Sequence, residues 1–248
     1  MRIDANGVHY RDLNDRIHAA IEGGERQFTL ENVRGQRYIG AGLNSSVQIT
    51  INGVPGNDLA AFMNGAVVTV HGNGQDGVGN TMNAGKIVIH GDAGDIVGHS
   101  MRGGKIFVRG YVGYRAGIHM KAFEDHFPIV VVGGTAKDYL GEYMAGGVLI
   151  VLNLDVGGGA SAGKSPVGEY VGTGMHGGVI YVRGQLEPHQ LGAEVGAGEP
   201  DDADWTSLSE VLAEYSDEFS LDTGALDRRD FVKLTPRSSR PYGNLYAY

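Results

Sequence analysis

Short runs of β-branched and other apolar residues recur along the middle of the chain, and a glycine follows most of them. The runs lie at 47–51, 67–70, 87–89, 106–108, 130–132, 148–151 and 179–182. Runs of this length and composition predict short β-strands. A G-x-x-M motif, such as Gly79–Met82, also recurs along the chain. A second short apolar segment comes just before it, so the pattern predicts two strands in each repeat. These segments contain Leu59, Val78, Val97, Ala116, Leu140 and Val171.

The methionines set the period of this repeat. The step is 19 residues wherever no insertion intervenes, from Met63 to Met82, Met101 and Met120. The frame continues to Met144 and Met175 after two longer steps, and counting backwards places Asn44 in the methionine position of the first copy. The frame therefore predicts about seven copies.

Copies of nearly equal length, with short strands and glycine corners, predict coils that stack into a parallel β-helix of the all-β class. Like residues then lie above one another, so the methionines are expected to form an internal stack. The frame divides the chain into a cap at 1–40, the β-helix at 41–190, and a linker, helix and strap at 191–248.

The two ends of the chain differ from the repeat. An amphipathic helix at Asp12–Gly24 is predicted to cover the N-terminal end of the solenoid, and a strand at Gln27–Val33 is predicted to lead into the first coil. A second helix is predicted at Ser207–Glu218, after an acidic linker. The tail at 231–246 suits either a strap across the chain's own core or a contact with a partner. Its basic and aromatic residues include Arg237, Arg240 and Tyr242.

Two insertions interrupt the repeat, each at one corner. The first, at 122–128, adjoins a cluster formed by His119, Lys121, Glu124, Asp125 and His126. Such residues can form an acid–base site, but loops on a rigid scaffold commonly bind partners, so His119, Lys121 and His126 are interpreted as docking contacts. The second, at 154–167, contains G-x-x-x-x-G-K-S without the following helix of a phosphate-binding loop, which argues against nucleotide binding.

Two columns of polar residues are expected along the stack. The first column consists of the residues just before the corner position, which is usually a glycine, and it should lie on one outer face. Its members are Asn52, His71, His90, Arg109, Leu152 and Arg183. This ladder can bind an anion or an acidic partner, although a solvated face is the simpler interpretation, and two histidines alone make a poor zinc site. The second column is interpreted as corner-capping Asx turns rather than metal ligands. It contains Asp76, Asp95 and Asp138.

Composition narrows the possible functions. Glycine accounts for 42 of 248 residues, which fits a fold with many corners, and the net charge of −9 argues against nucleic-acid binding. The chain has no cysteine, which excludes thiol nucleophiles, disulfides and cysteine-ligated iron–sulfur clusters within it. Without a long uncharged apolar run or a signal-peptide pattern, we expect no membrane segment and a cytoplasmic location.

Several motifs together resemble a known family. They are the run Tyr114–Lys121, the segments Gly133–Ala136, Gly141–Gly147 and Gly172–Gly184, and the tail at 231–246. In combination with the repeat they are similar to the GXGXG domain of glutamate synthase, and more narrowly to its free-standing form, a separate subunit. The resemblance covers nearly the whole chain. It implies a single-stranded, right-handed parallel β-helix of about seven turns with short helical extensions.

The resemblance also implies a role in a multi-part enzyme of nitrogen metabolism. In that family the domain is a structural support without assigned catalytic residues. The implied partners are a glutaminase-type amidotransferase subunit, which releases ammonia, and an FMN synthase subunit, which uses it reductively. We therefore expect no catalytic, cofactor-binding or metal residue in this chain. FMN and any iron–sulfur cluster would belong to partners in a hetero-oligomer that makes glutamate, N-methylglutamate or another product.

Other readings stay open at the sequence level. A related subunit occurs in formylmethanofuran dehydrogenase and in formyltransferase/hydrolase complexes, so the architecture alone does not select the chemistry. The chain can also be an autonomous ligand-binding or catalytic solenoid that uses the histidine and arginine ladder or the first insertion.

Overall fold

The computed structural model describes residues 1–155 and 165–239. Within these ranges the chain forms a sheet of 11 strands and two α-helices. In chain order the elements are β1 (Arg2–Asp4), α1 (Tyr10–Glu22), β2 (Gln27–Arg34), β3 (Gln48–Val54), β4 (Asn64–His71), β5 (Ala84–Ile89), β6 (Gly104–Val108), β7 (Pro128–Val132), β8 (Ala145–Val151), β9 (Gly177–Arg183), β10 (Val195–Gly198), α2 (Asp202–Phe219) and β11 (Phe231–Pro236).

Strands that follow one another in the chain are neighbours in the sheet. From β1 to β9 every adjacent pair is parallel, and Thr50 of β3 lies beside Thr69 of β4 as Ile87 of β5 lies beside Ile106 of β6. β11 pairs antiparallel with β9, and β10 pairs antiparallel with β11. The result is a mostly β solenoid of about six turns. Its handedness and the count of seven turns remain predictions.

Methionine fills the interior of the solenoid, as the repeat predicts. The Met82 methyl group reaches beneath Gly104 of the next coil, where a Cβ atom would lie 2.4 Å from it. The same packing recurs between Met144 and Gly178, where the distance would be 2.5 Å. No side-chain surface is exposed at the six methionines of the repeat, Met63, Met82, Met101, Met120, Met144 and Met175.

The first coil departs from the predicted frame by one residue. Leu43 is buried in the methionine position, whereas Asn44 is exposed. Backbone hydrogen bonds show that Leu43 is the equivalent of Met63. The Asn64 N–H donates to the carbonyl of Leu43, as the Asn83 N–H donates to the carbonyl of Met63. An amide without a partner would be costly inside this core.

The second apolar segment of each coil is not a strand, which corrects the prediction. In one coil Gly77, Gly79 and Thr81 have φ angles of 72°, 67° and 54°, and alternate residues of the other coils share this left-handed geometry. A strand cannot hold such angles. The segment still bonds to both neighbours, because the Gly79 N–H donates to the preceding coil and the Thr81 N–H to the following one. We call this side of the solenoid the turn face.

Aspartates at the corners join successive coils. A carboxylate oxygen of Asp76 accepts the Asp95 N–H at 2.9 Å, and one of Asp95 accepts the Tyr114 N–H at 2.8 Å. These side chains therefore cap the next coil rather than closing Asx turns within their own. The contact needs a glycine before each donor, because a Cβ atom at Gly94 would lie 2.1 Å from the Asp76 oxygen and one at Gly113 would lie 2.0 Å from that of Asp95.

The N-terminal helix covers the first coil. Leu13 and Ile17 of α1 are buried in the main core of the solenoid, in the positions that the amphipathic pattern predicts. β2 at Gln27–Arg34 also matches the predicted strand.

Helix α2 lies across the outer face of the sheet and forms a second apolar core. Leu208, Leu212 and Tyr215, three of the positions predicted for one helix face, are buried there with strand residues such as Phe107. The Tyr215 hydroxyl donates to the carbonyl of Val108 at 3.1 Å. This contact anchors the C-terminal half of the helix to β6.

Charged residues fix both ends of α2. The acidic linker of the sequence is in part the first turn of this helix, where Asp204 accepts hydrogen bonds from Tyr181 and Lys233, both at 2.6 Å. Burial alone would raise the pKa of Asp204, but these bonds outweigh it and lower the pKa to about 2. Near the other end, Lys86 of β5 forms an ion pair with Glu218.

Candidate functional site

The turn face carries two rows of stacked side chains on its outer surface. In the first row the rings of Tyr139 and Tyr170 stack at 4.9 Å with an angle of 13°, and the Arg115 guanidinium lies 4.7 Å from the centre of Tyr139. In the second row the rings of His119 and Tyr143 stack at 5.4 Å with an angle of 10°. We call these five residues the ring face.

Backbone geometry places these side chains. All five residues of the ring face have left-handed φ angles between 52° and 64°. This conformation costs bulky residues about 1–2 kcal/mol each, and hydrogen bonds between coils offset the cost. The Tyr139 N–H donates to Glu169, and the Tyr143 N–H to Thr173, both at 2.8 Å.

A buried carboxylate joins the two rows. Glu142 is 9% exposed and accepts a hydrogen bond from the Arg115 Nε at 2.8 Å. Its backbone carbonyl accepts the His119 N–H at 2.9 Å. The ring face is therefore held in place by stacking, by an ion pair and by the backbone.

The ring face is accessible from solvent. Tyr170 is 47% exposed, and the neighbouring Tyr114, which lies beneath the Lys137 ammonium, is 41% exposed. His99 extends the second row at 6.1 Å from His119. Burial, followed by the effect of His119, lowers the pKa of His99, so that its neutral form is favoured at neutral pH.

The first insertion forms a tight hairpin beside this face. Two backbone hydrogen bonds of 2.9 and 3.1 Å join Phe123 and His126, and Glu124 at the tip has a φ of 53°. The hairpin folds back on the preceding coil, where a Cβ atom at Gly103 would lie 3.1 Å from the Cβ of His126. Phe123 and Phe127 are 54% and 62% exposed.

A cleft of about 270 Å³ lies between the hairpin and three successive coils. Asn64, Asn83 and Arg102 each follow a core methionine, so they line up on one wall at the spacing of the coils. The hairpin supplies the other wall with Phe123, Glu124 and His126.

Helix α2 partly covers the ladder of histidine and arginine. The rings of His71 and His90 are adjacent at 4.6 Å, which confirms their predicted stacking on neighbouring coils. The rings of His90 and of Phe219 in α2 form a T-shaped pair at 5.2 Å, so the His90 side chain is not on a freely solvated face. Burial, then His71 and Arg109, lower the pKa of His90.

The predicted contact residues do not form one site. His119 belongs to the ring face and His126 lines the cleft. Lys121 lies between these two histidines in the sequence, and its side chain is exposed. Arg237 follows β11 at the far end of the solenoid, where it lines a separate groove of about 510 Å³ together with Val195. Arg240 and Tyr242 lie outside the described residues.

Other predicted features have different outcomes. Within residues 1–155 and 165–239 no three His, Cys, Asp or Glu side chains are grouped so that they could hold a metal ion. The core of the second insertion, 156–164, lies outside the described residues.

The first part of the tail, Phe231–Pro236, forms β11 and pairs with β9, which supports a strap across the chain's own core for that part. No helix in the described ranges is both long and apolar enough to span a membrane.

Comparison with known sequences assigns a family to this solenoid. The sequence model of the GXGXG motif family matches residues 13–227, which is most of the chain. The chain belongs to the GXGXG motif family. This assignment confirms the resemblance to a free-standing GXGXG domain of the glutamate synthase family.

One relative of this GXGXG protein and one solved structure extend the comparison. An uncharacterized protein of Methanocaldococcus jannaschii is 46% identical over 250 residues, which cover 98% of this chain and 95% of that protein. The crystal structure of the formyltransferase/hydrolase complex of Methylorubrum extorquens with methylofuran contains a similar chain, with a TM-score of 0.59 and 23% identity. The match covers 76% of this chain and 66% of that chain, slightly under two thirds of its length. This likeness shows the fold alone.

Sequence reasoning found part of the ring face of the GXGXG protein. It identified His119 but missed Tyr139, Tyr143 and Tyr170. The frame contains the signal, because Tyr139 and Tyr170 both lie five residues before a core methionine and therefore stack on neighbouring coils.

Proposed function

We propose that this GXGXG protein is a non-catalytic scaffold subunit of a hetero-oligomeric enzyme complex, and that the ring face binds a partner subunit. The observation that carries the proposal is the ring face itself. Tyrosine and arginine dominate the binding energy of many protein interfaces. Tyr170 and Arg115 are already held by stacking and by Glu142, so they lose little conformational freedom on binding.

The solenoid supports this role mechanically. Backbone bonds and aspartate bridges such as the 2.9 Å contact from Asp95 to Asp76 join its coils. Six coils at a strand spacing of about 4.8 Å make a rod about 30 Å long. Such a rod can hold two partners at a fixed separation.

The complex that fits best is a glutamate synthase-like, FMN-dependent glutamine amidotransferase. Family membership and the motif runs at Tyr114–Lys121 and 231–246 support this choice. In this proposal a glutaminase-type subunit and an FMN synthase subunit are the partners, and FMN and any iron–sulfur cluster belong to them. The scaffold is then a cytoplasmic, right-handed β-helix of about seven turns at 41–190, flanked by the cap and the C-terminal strap.

A second candidate is a scaffold in a complex of the formyltransferase/hydrolase type. The specific observation in its favour is the similar fold of a chain in that solved complex. The two candidates predict different companions, so the identity of the subunits that co-purify with this chain separates them.

A pair of matched variants tests the interface. Tyr38 occupies the same position of the first coil as Tyr170, with the same φ of 62° and 41% exposure against 47%. In the co-expressed complex, Tyr170→Ala should weaken association about thirtyfold, as loss of a contact worth about 2 kcal/mol does. Tyr38→Ala should leave the affinity of the complex unchanged.

The chain alone provides the complementary test. Purified by itself it should bind no flavin and release no ammonia from glutamine, whereas the complex should do both. Equal affinity of the two tyrosine variants would contradict the assigned surface, and turnover by the isolated chain would contradict the scaffold role.

A further inference from the structure

The cleft beneath the first insertion brings together a cation and an anion that do not neutralise each other. Arg102 and Glu124 both line it. Among the described residues, neither side chain forms an ion pair or a hydrogen bond. Opposite charges that share a cleft without contact leave room for a ligand that bridges them.

The remaining polar groups of the cleft are the amides of Asn64 and Asn83 and the imidazole of His126. The Asn64 amide N–H₂ already donates to Asn44 at 2.8 Å, and the Asn83 amide N–H₂ donates to the carbonyl of Thr81 at 3.3 Å. Each of these amides keeps its oxygen as an acceptor and one N–H as a donor. An anion alone would meet Arg102 but would be repelled by the carboxylate of Glu124.

The size and the apolar wall limit the ligand further. The volume of about 270 Å³ lies just below the range of about 300–1,000 Å³ that is usual for drug-sized ligands. The exposed ring of Phe123 offers a surface for a short hydrocarbon segment. A small molecule with a carboxylate, a protonated amine and a short apolar stem matches these features.

We propose that this cleft binds a small zwitterion of the amino-acid class. Arg102 pairs with the carboxylate, and its planar fork suits that group. Glu124 and the oxygens of Asn64 and Asn83 accept hydrogen bonds from the ammonium group. The inference goes beyond the scaffold role and does not depend on it, because it concerns a small ligand of the isolated chain.

A series of simple probes tests the site in the full chain. Glycine, β-alanine and γ-aminobutyrate increase the distance between the two charges, while acetate and methylammonium each carry one. The readout is the shift of backbone amide resonances in a titration. At least one zwitterion should bind saturably, about tenfold or more tightly than acetate or methylammonium. Its shifts should centre on Arg102 and Phe123–His126.

Two variants test the roles of Arg102 and Glu124 in binding the zwitterion. Arg102→Leu should weaken the best zwitterion about tenfold or more, and Glu124→Gln should reduce its advantage over acetate to about onefold. Both residues are exposed, so the variants should keep the fold and the melting temperature. Arg16→Leu, at an exposed position on α1, is the matched control and should leave the affinity unchanged.

Two results would overturn this assignment. One is the absence of saturable shifts at the cleft with every zwitterion. The other is binding that acetate reproduces with equal affinity or that Arg102→Leu retains.

Discussion

Replacement of Gly110 by alanine tests the role of the corner glycines. The Tyr111 N–H donates to a carboxylate oxygen of Asp92 at 2.9 Å, and a Cβ atom at Gly110 would lie 2.0 Å from that oxygen. Gly110 does not have a left-handed φ angle, so its backbone conformation is open to alanine. The penalty therefore comes from the close approach of the two coils.

The magnitude follows from three contributions. Overpacking costs about 1–3 kcal/mol, and loss of the Tyr111 hydrogen bond costs about 1 kcal/mol. The smaller unfolded-state entropy of alanine returns about 0.4–1 kcal/mol. Gly110→Ala should thus lower the free energy of unfolding by about 1–4 kcal/mol. In a chain of this size the melting temperature should fall by roughly 2–15 °C.

Equilibrium denaturation and calorimetry measure this effect. Gly196→Ala in β10 is the control, because the nearest atoms to a Cβ there lie at 3.8 Å, and its effect should stay within about 0.5 kcal/mol. Asp92→Ala combined with Gly110→Ala should cost less than the sum of the two single changes. A Gly110→Ala protein as stable as the wild type would refute the reasoning.

Three further predictions concern α2 and the histidine ladder. Tyr215→Phe should cost about 0.5–1.5 kcal/mol in denaturation, because the Val108 carbonyl loses one of its two donors and keeps the Gly133 N–H; an unchanged stability would contradict the anchoring contact. Asp204 has a pKa of about 2 against 3.8 in the unfolded chain, so its stabilisation of about 1–2 kcal/mol is present above pH 3.8 and is lost as the pH falls towards 2. Asp204→Asn should therefore be less stable than the wild type at neutral pH, and the difference should shrink in acid; a constant difference would count against the ion pair. In NMR titrations the pKa of His90 should lie below 6.5, and His71→Ala should raise it because one neighbouring positive charge is removed. An unchanged pKa of His90 in that variant would show that the two rings do not interact.

The repeat could be predicted because residue types mark both its strands and its core positions. β-Branched runs specify β3 to β9, and the methionines of the core keep one spacing wherever no insertion intervenes. The helical patterns also predicted both helices, with Leu13 and Tyr215 among the buried positions. Each of these features depends on burial, which apolar periodicity reports directly.

The turn face could not be predicted in the same way. Ile96, Thr81 and Ser100 adopt left-handed angles near 53°, although a β-branched residue disfavours them and no local signal marks them. Hydrogen bonds to both neighbouring coils impose this geometry, and these depend on the whole stack. The placement of α2 over the sheet and the folding of the hairpin onto Gly103 are likewise tertiary contacts without a local signature.

Native mass spectrometry of the complex purified from its own cells, through a tag on this chain, tests the central claim most directly. The scaffold account predicts a defined assembly in which this chain is accompanied by a glutaminase-type subunit and a subunit that carries FMN. A chain recovered without stable companions, and active by itself, would contradict the account.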